Sequence, residues 1–132
     1  MRLLLKNAHL YRHQAFSDTD VLIEDGIIKE MASLITKEGE EVLDAAGLVV
    51  APGLIDTHVH FRDPGFTYKE TIHTGALASA KGGFTSVICM ANTSPTVDSV
   101  PVLKDNLSRA SKEKIRIFQA ASISCNLKGQ EE

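Results

Sequence analysis

His58 and His60, two positions apart, are the residues whose types and spacing most directly suggest chemistry. They lie in the stretch Gly53-Leu-Ile-Asp-Thr-His-Val-His-Phe-Arg-Asp-Pro-Gly65. Leu54 to Val59 reads as a short buried strand rich in β-branched residues, entered through Pro52-Gly53 and left through Pro64-Gly65. Successive strand side chains point to opposite faces, so Asp56, His58 and His60 share one face and Ile55, Thr57 and Val59 the other. Two imidazoles about 7 Å apart along a strand converge on one small ion when the rings tilt together. Asp56 is placed to accept an N–H from one ring and so hold its tautomer. Arg62 follows where the strand opens into a loop, and a guanidinium beside a metal suits an anionic substrate. A lone His-x-His pair in a strand is more often structural or exposed. This one ends a hydrophobic strand, with a basic residue and a Pro-Gly turn immediately after it.

The elements that follow must position these groups. Thr67 and Glu70 have capping-box spacing. Ile72, Ala76, Leu77 and Ala80 give an apolar helical face, His73 being a partly exposed residue of that helix, and Gly82-Gly83 stops it. Phe84 to Met90 is a second strand, ending in the polar loop Ala91 to Thr96. Ser99 and Pro101 open a second helix with the stripe Val100, Leu103, Leu107 and Ala110, and Lys112 and Lys114 lie near its favourable end for cations. Ile115 to Ala121 is a third strand. Strand, helix, strand, helix, strand predicts a parallel sheet with helices outside, and sites in such sheets form beyond the carboxyl ends of the strands. His58, His60, Arg62 and Asn92 all fall at those ends, so two strands deliver polar groups to one rim.

Residues 1–52 differ in texture. Leu3 to Leu5 opens a strand that Ala8 to Tyr11 extends. Thr19 to Glu24 and Ile27 to Met31 flank Asp25-Gly26, a strong signal for a type I′ hairpin. Lys37 to Glu41 reads as a solvated charged loop. Val42 to Asp44 and Leu48 to Val50 are further short strands, joined through a turn at Ala46-Gly47. The expectation is a small antiparallel β module over 1–52, with His9 and His13 on its surface, followed by β/α units over 53–132.

The 132 residues carry a net charge of -3 and are 43% hydrophobic, a globular composition. No basic stripe is present, and the two Tyr and five Phe do not cluster on a basic face, which argues against nucleic acid as a partner. No apolar run is long enough to span a membrane, and the apolar start is too short for a signal peptide. The expected location is cytoplasmic. Cys89 and Cys125 sit in apolar contexts without Cys-x-x-Cys spacing and read as free buried thiols. The chain ends at Lys-Gly-Gln-Glu-Glu in mid-pattern, as a fragment of something larger would.

Pro52-Gly-Leu-Ile-Asp-Thr-His-Val-His60 resembles the first-strand signature of the amidohydrolase superfamily. Phe61-Arg-Asp-Pro-Gly65, Tyr68-Lys-Glu-Thr71, Gly82-Gly-Phe-Thr85 and Met90-Ala-Asn-Thr-Ser-Pro95 resemble the dihydroorotases. The His-x-His part is shared by many metal-dependent hydrolases, whereas the Arg-Asp-Pro-Gly and Asn-Thr parts are far more specific. The resemblance covers the whole chain. It implies a distorted (β/α)8 TIM-type barrel with a small β domain, and zinc-dependent interconversion of N-carbamoyl-L-aspartate and L-dihydroorotate in pyrimidine synthesis. By match to the motif, His58 and His60 are zinc ligands of a site holding one or two ions, and Arg62 and Asn92 bind the substrate carboxylate. Asp63 is left as a loop-capping carboxylate. Ala91 departs from the Pro common at that position, which should loosen its loop slightly. The bridging ligand, two further histidines and the catalytic aspartate of the family belong to later strands, so no catalytic residue is expected within these 132 residues.

A full barrel needs roughly 250 residues, and a catalytic zinc normally takes three protein ligands. The isolated chain is therefore expected to be inactive, to bind zinc weakly and to expose sheet edges prone to association. The nearest rival is a dihydropyrimidinase- or allantoinase-like cyclic amidase, whose substrates lack the carboxylate that Arg62 would clamp. The rival from another class is a non-catalytic homologue serving as a scaffold. The resemblance leaves open a homodimer or association with other pyrimidine-pathway enzymes.

Overall fold

The computed structural model describes residues 1–36 and 41–130, in two compact units, Met1–Pro52 and Gly53–Glu132. The first unit is a five-stranded sheet of β1 (Arg2–Arg12), β2 (Ala15–Glu24), β3 (Ile27–Ala32), β4 (Glu41–Asp44) and β5 (Val49–Val50). The two predicted strands at the start are one, broken by a bulge between Leu5 and Ala8. Asn7 takes φ 57 there, and its N–H donates to Asp20 Oδ1 at 2.9 Å. Asp25 and Gly26 adopt φ 49 and 76 between β2 and β3, as the hairpin signal requires. The β1–β2 turn uses His13 and Gln14 at φ 51 and 64. The pair lacks the Asn-Gly or Asp-Gly signature of such turns, so that hairpin was not legible from turn chemistry.

The expectation of an antiparallel module is corrected. β1–β2–β3 is antiparallel, but β4 and β5 both run parallel to β1, so the sheet is mixed. Gly47 (φ 76) lets the chain jog between β4 and β5 while both keep the direction of β1. Glu41 belongs to β4 rather than to a charged loop; the rest of that predicted loop, 37–40, lies outside the described residues. Leu4 and Leu22, paired across β1 and β2, bury with Ile35 to form the core of this unit.

The second unit runs β6 (Leu54–Val59), α1 (Ile72–Lys81), β7 (Phe84–Cys89), α2 (Val100–Ala110) and β8 (Arg116–Gln119). Its strands form a parallel sheet in the order β6-β7-β8. Phe61, Ala76, Val87, Cys89 and Ile115 form the core between sheet and helices. A Cβ on Gly75 would overlap the Phe61 ring, so this glycine lets the ring lie against the helix backbone.

The start of α1 differs from the spacing-based expectation, while α2 starts after Ser99 as expected. The capping box is Thr71 with Thr74, not Thr67 with Glu70: Thr74 N donates to Thr71 Oγ1 at 3.0 Å, and Thr71 N to Thr74 Oγ1 at 2.9 Å. The buried face of α1 is Ile72, Gly75 and Ala76, while Leu77 is 50% exposed. Gly83 (φ 83) ends the helix in the left-handed region. On α2 the buried positions are Asn106 and Ala110, and Val100 and Leu107 are exposed. Ser99 is its N-cap residue but makes no side-chain capping bond, and the cation in its last turn is Arg109. Both cysteines are free. Cys89 is buried, and burial pushes its thiol up to about 11. Cys125 is only half-buried, short of the expected burial, at the start of a short 3-10 turn, Cys125–Leu127.

Candidate metal centre

Strand alternation carries His58 and His60 to one side of β6, at its carboxyl end. Their Nε2 atoms lie 3.2 Å apart and the ring centroids 5.0 Å, at 63° between planes. Two nitrogens bound to one tetrahedral zinc at ordinary Zn–N lengths are about 3.3 Å apart, so the pair fits two vertices of such a site. His60 Nδ1 lies 2.8 Å from Asn92 Oδ1. A carbonyl oxygen only accepts, so Nδ1 carries the proton and Nε2 turns its lone pair toward His58. Among the described residues no third His, Cys, Asp or Glu joins the pair.

Asn92 follows β7, so the amide arrives from the neighbouring strand. Its loop is tied down by backbone bonds, Thr93 N and Val97 N to Ala91 O at 2.9 and 3.0 Å and Ser94 N to Pro64 O at 3.1 Å. The last of these joins the β6–α1 loop to the β7–α2 loop. Gly65 (φ 92) sits at the join, where a Cβ would overlap the Ser94 carbonyl.

The expected partnership of Asp56 with an imidazole is corrected. Asp56 Oδ1 accepts the backbone N–H of His58 at 3.0 Å. The imidazole that finds an outer partner is that of His60, and the partner is Asn92 from the neighbouring strand; the Asp56 carboxylate is taken up by its own strand's backbone. Asp63 does act as a loop-closing carboxylate: Oδ2 accepts the Ile72 N–H at 3.2 Å, and Oδ1 pairs with Arg109. Arg62 is half-buried; its carbonyl accepts the Phe66 N–H at 2.8 Å, and its side chain has no hydrogen bond or ion pair among the described residues.

His58, His60 and Asn92 line an open depression of about 500 Å³, together with Met90 and the segment Ala120–Ser124 after β8. Arg62 is not among its lining residues. The sequence marks Ile115 to Ala121 as a strand but carries no sign that Ala120–Ser124 would line the site. That segment is held by Ser122 N to Val97 O at 2.7 Å and Asn126 N to Asp98 Oδ2 at 2.8 Å, contacts between residues distant in the chain.

Residues 47–132 match the family model described as Dihydro-orotase-like. The chain is 55% identical to a dihydroorotase of Streptococcus pneumoniae over 97% of its length, and 46% identical to one of Ruminiclostridium cellulolyticum over 99%. It spans about a third of the length of these relatives, 31% of each. Among solved structures it is similar to a dihydropyrimidinase from Brevibacillus agri, with a TM-score of 0.79 at 26% identity, covering 94% of this chain and 28% of that one. A D-hydantoinase gives 0.73 at 30% identity, covering 94% and 28%.

Proposed function

The chain belongs to the dihydroorotase-like family, and on that premise we propose that it forms the part of a zinc-dependent dihydroorotase where half of the metal centre and the carboxylate-binding groups are built. The reaction is the interconversion of N-carbamoyl-L-aspartate and L-dihydroorotate. The observation that carries the reading is the convergence of the two Nε2 atoms at 3.2 Å with Asn92 behind one of them. His58 and His60 hold the ion through Nε2. Bound zinc supplies a Lewis acid for the amide carbonyl and lowers the pKa of water near it. Asn92 keeps His60 in the tautomer that presents a lone pair, and its amide nitrogen remains to donate to a substrate oxygen. Arg62 offers an unpaired guanidinium fork to the substrate carboxylate, the strongest neutral-pH clamp for a planar anion.

The remaining ligands and the catalytic carboxylate come from strands beyond these three. Two features support completion of the sheet into a (β/α)8 barrel. Among the described residues β6 and β8 are each paired on one side only, and Leu54, Ile55 and Phe118 are 53%, 66% and 54% exposed. Other segments of a complete protein would cover both edges. A cytoplasmic enzyme acting on a small soluble anion, as a homodimer or beside other pyrimidine-pathway enzymes, fits this reading, and no helix among the described residues is long and apolar enough to cross a membrane.

The structural neighbours favour one second reading, a cyclic amidase of the dihydropyrimidinase type. Turnover of dihydroorotate, dihydrouracil and allantoin by the complete protein separates the two. Dihydroorotate is expected to be hydrolysed and the others not, and preference for dihydrouracil would overturn the assignment. The 132-residue chain alone, supplied with zinc, should show no dihydroorotate hydrolysis beyond a His58→Ala control.

A further inference from the structure

Behind the rim a line of polar side chains crosses the layer between helix and sheet. It begins at Asp63, the residue directly after Arg62, whose carboxylate pairs with Arg109 of α2. Arg109 Nη2 donates to Asn106 Oδ1 at 2.8 Å, and Asn106 Nδ2 donates to Gln119 Oε1 at 3.4 Å. Gln119 Nε2 then reaches the carbonyls of Cys89 and Met90, at 3.2 and 3.3 Å, and of Ala120 at 3.0 Å. Asn106 is 1% exposed and the Asp63 side chain 11%. The line therefore starts on the side chain of the residue after Arg62 and ends on the backbone carbonyl of Met90, two residues before Asn92.

Adhesion alone does not require this arrangement. An apolar face on α2 would pack on the sheet at least as stably, because burying charged and polar groups costs desolvation that their pairing only offsets. What directional bonds add is a defined position for their ends. We infer that Arg109 is a positioning residue for anion recognition: through Asp63 it sets the loop bearing Arg62, and through Asn106 and Gln119 the segment bearing Asn92. This rests on the dihydroorotase reading above.

The test uses the complete protein as wild type, Arg109→Met and Arg109→Lys. Arg109→Met is expected to raise KM for dihydroorotate by about tenfold or more, with kcat changed less than about threefold. Arg109→Lys keeps a charge beside Asp63 but loses the fork, and falls between. A folded Arg109→Met enzyme with KM unchanged, or with kcat lost at constant KM, overturns the inference. If the methionine variant does not fold, the lysine variant carries the same comparison. Failure of the wild type to turn over dihydroorotate sinks the functional assignment alone. The positioning claim is then read from the ring N–H of His60 by nitrogen-edited NMR. A slowly exchanging Nδ1 proton in the wild type that is lost in Arg109→Lys supports it, and an unchanged proton overturns it.

Discussion

His60 Nδ1 donates to Asn92 Oδ1 across 2.8 Å, joining the ends of two neighbouring parallel strands through a ring that faces His58 with its other nitrogen. Groups that orient a metal-binding imidazole in this way typically account for 10–100-fold in metal affinity. Asn92→Ala should weaken zinc binding by roughly that factor, measured by competition with a chromogenic chelator. Unchanged affinity would mean that the amide serves only the substrate.

Gly65 should not tolerate alanine. Its φ is 92 and its Cα faces the Ser94 carbonyl. The strained backbone alone costs on the order of 1–3 kcal/mol, and the overlap pushes apart the loops that carry Arg62 and Asn92. Chemical denaturation should show the stability loss, with KM for the anionic substrate rising alongside. A Gly65→Ala protein as stable as wild type would contradict the packing of the two loops.

Gly75 inverts the usual expectation for a helix. Ala in a helix interior is normally favoured over Gly by about 1 kcal/mol, yet a Cβ here would enter the Phe61 ring. Gly75→Ala is therefore destabilising, and adding Phe61→Leu should recover part of the loss in a double-mutant cycle. Phe61→Ala by itself costs about 3–5 kcal/mol, as core aromatic truncations do. Additive effects of the two substitutions at 61 and 75 would rule out the contact.

Acid should act on the first unit through Asp20. This carboxylate accepts the N–H groups of Ile35 and Asn7, each at 2.9 Å, with Lys6 Nζ at 3.5 Å. These bonds, the Ile35 N–H foremost, hold its pKa below the ordinary 3.8 despite burial. A carboxyl whose folded pKa is depressed contributes stability that is present above 3.8 and lost as pH falls through the folded value. Asp20→Asn should lower stability at neutral pH by about 1–3 kcal/mol, since one N–H then faces an amide donor. It should also flatten the acid dependence below pH 4 in thermal melts. An acid limb unchanged by the substitution would assign that sensitivity to other groups.

What could be read from the chain alone is what backbone stereochemistry enforces within a few residues. Alternation along a strand by itself puts His58 and His60 on one face. Asp25-Gly26 and Gly83 marked turns because the left-handed region admits few other residues. The strand and helix order of residues 53–132 followed from apolar period. Local spacing misplaced the cap of α1, because Thr67/Glu70 and Thr71/Thr74 are both compatible with a helix start, and it placed Ile72 and Ala76 of the buried face correctly while missing Gly75 and overextending to Leu77 and Ala80. The direction of β4 and β5, the pairing of His60 with Asn92 rather than Asp56, and the Asp63–Arg109–Asn106–Gln119 line were decided by tertiary structure. Each joins residues far apart in sequence, and such partners are chosen by packing and by the cost of leaving a buried polar group unpaired, neither of which has a period that a sequence displays.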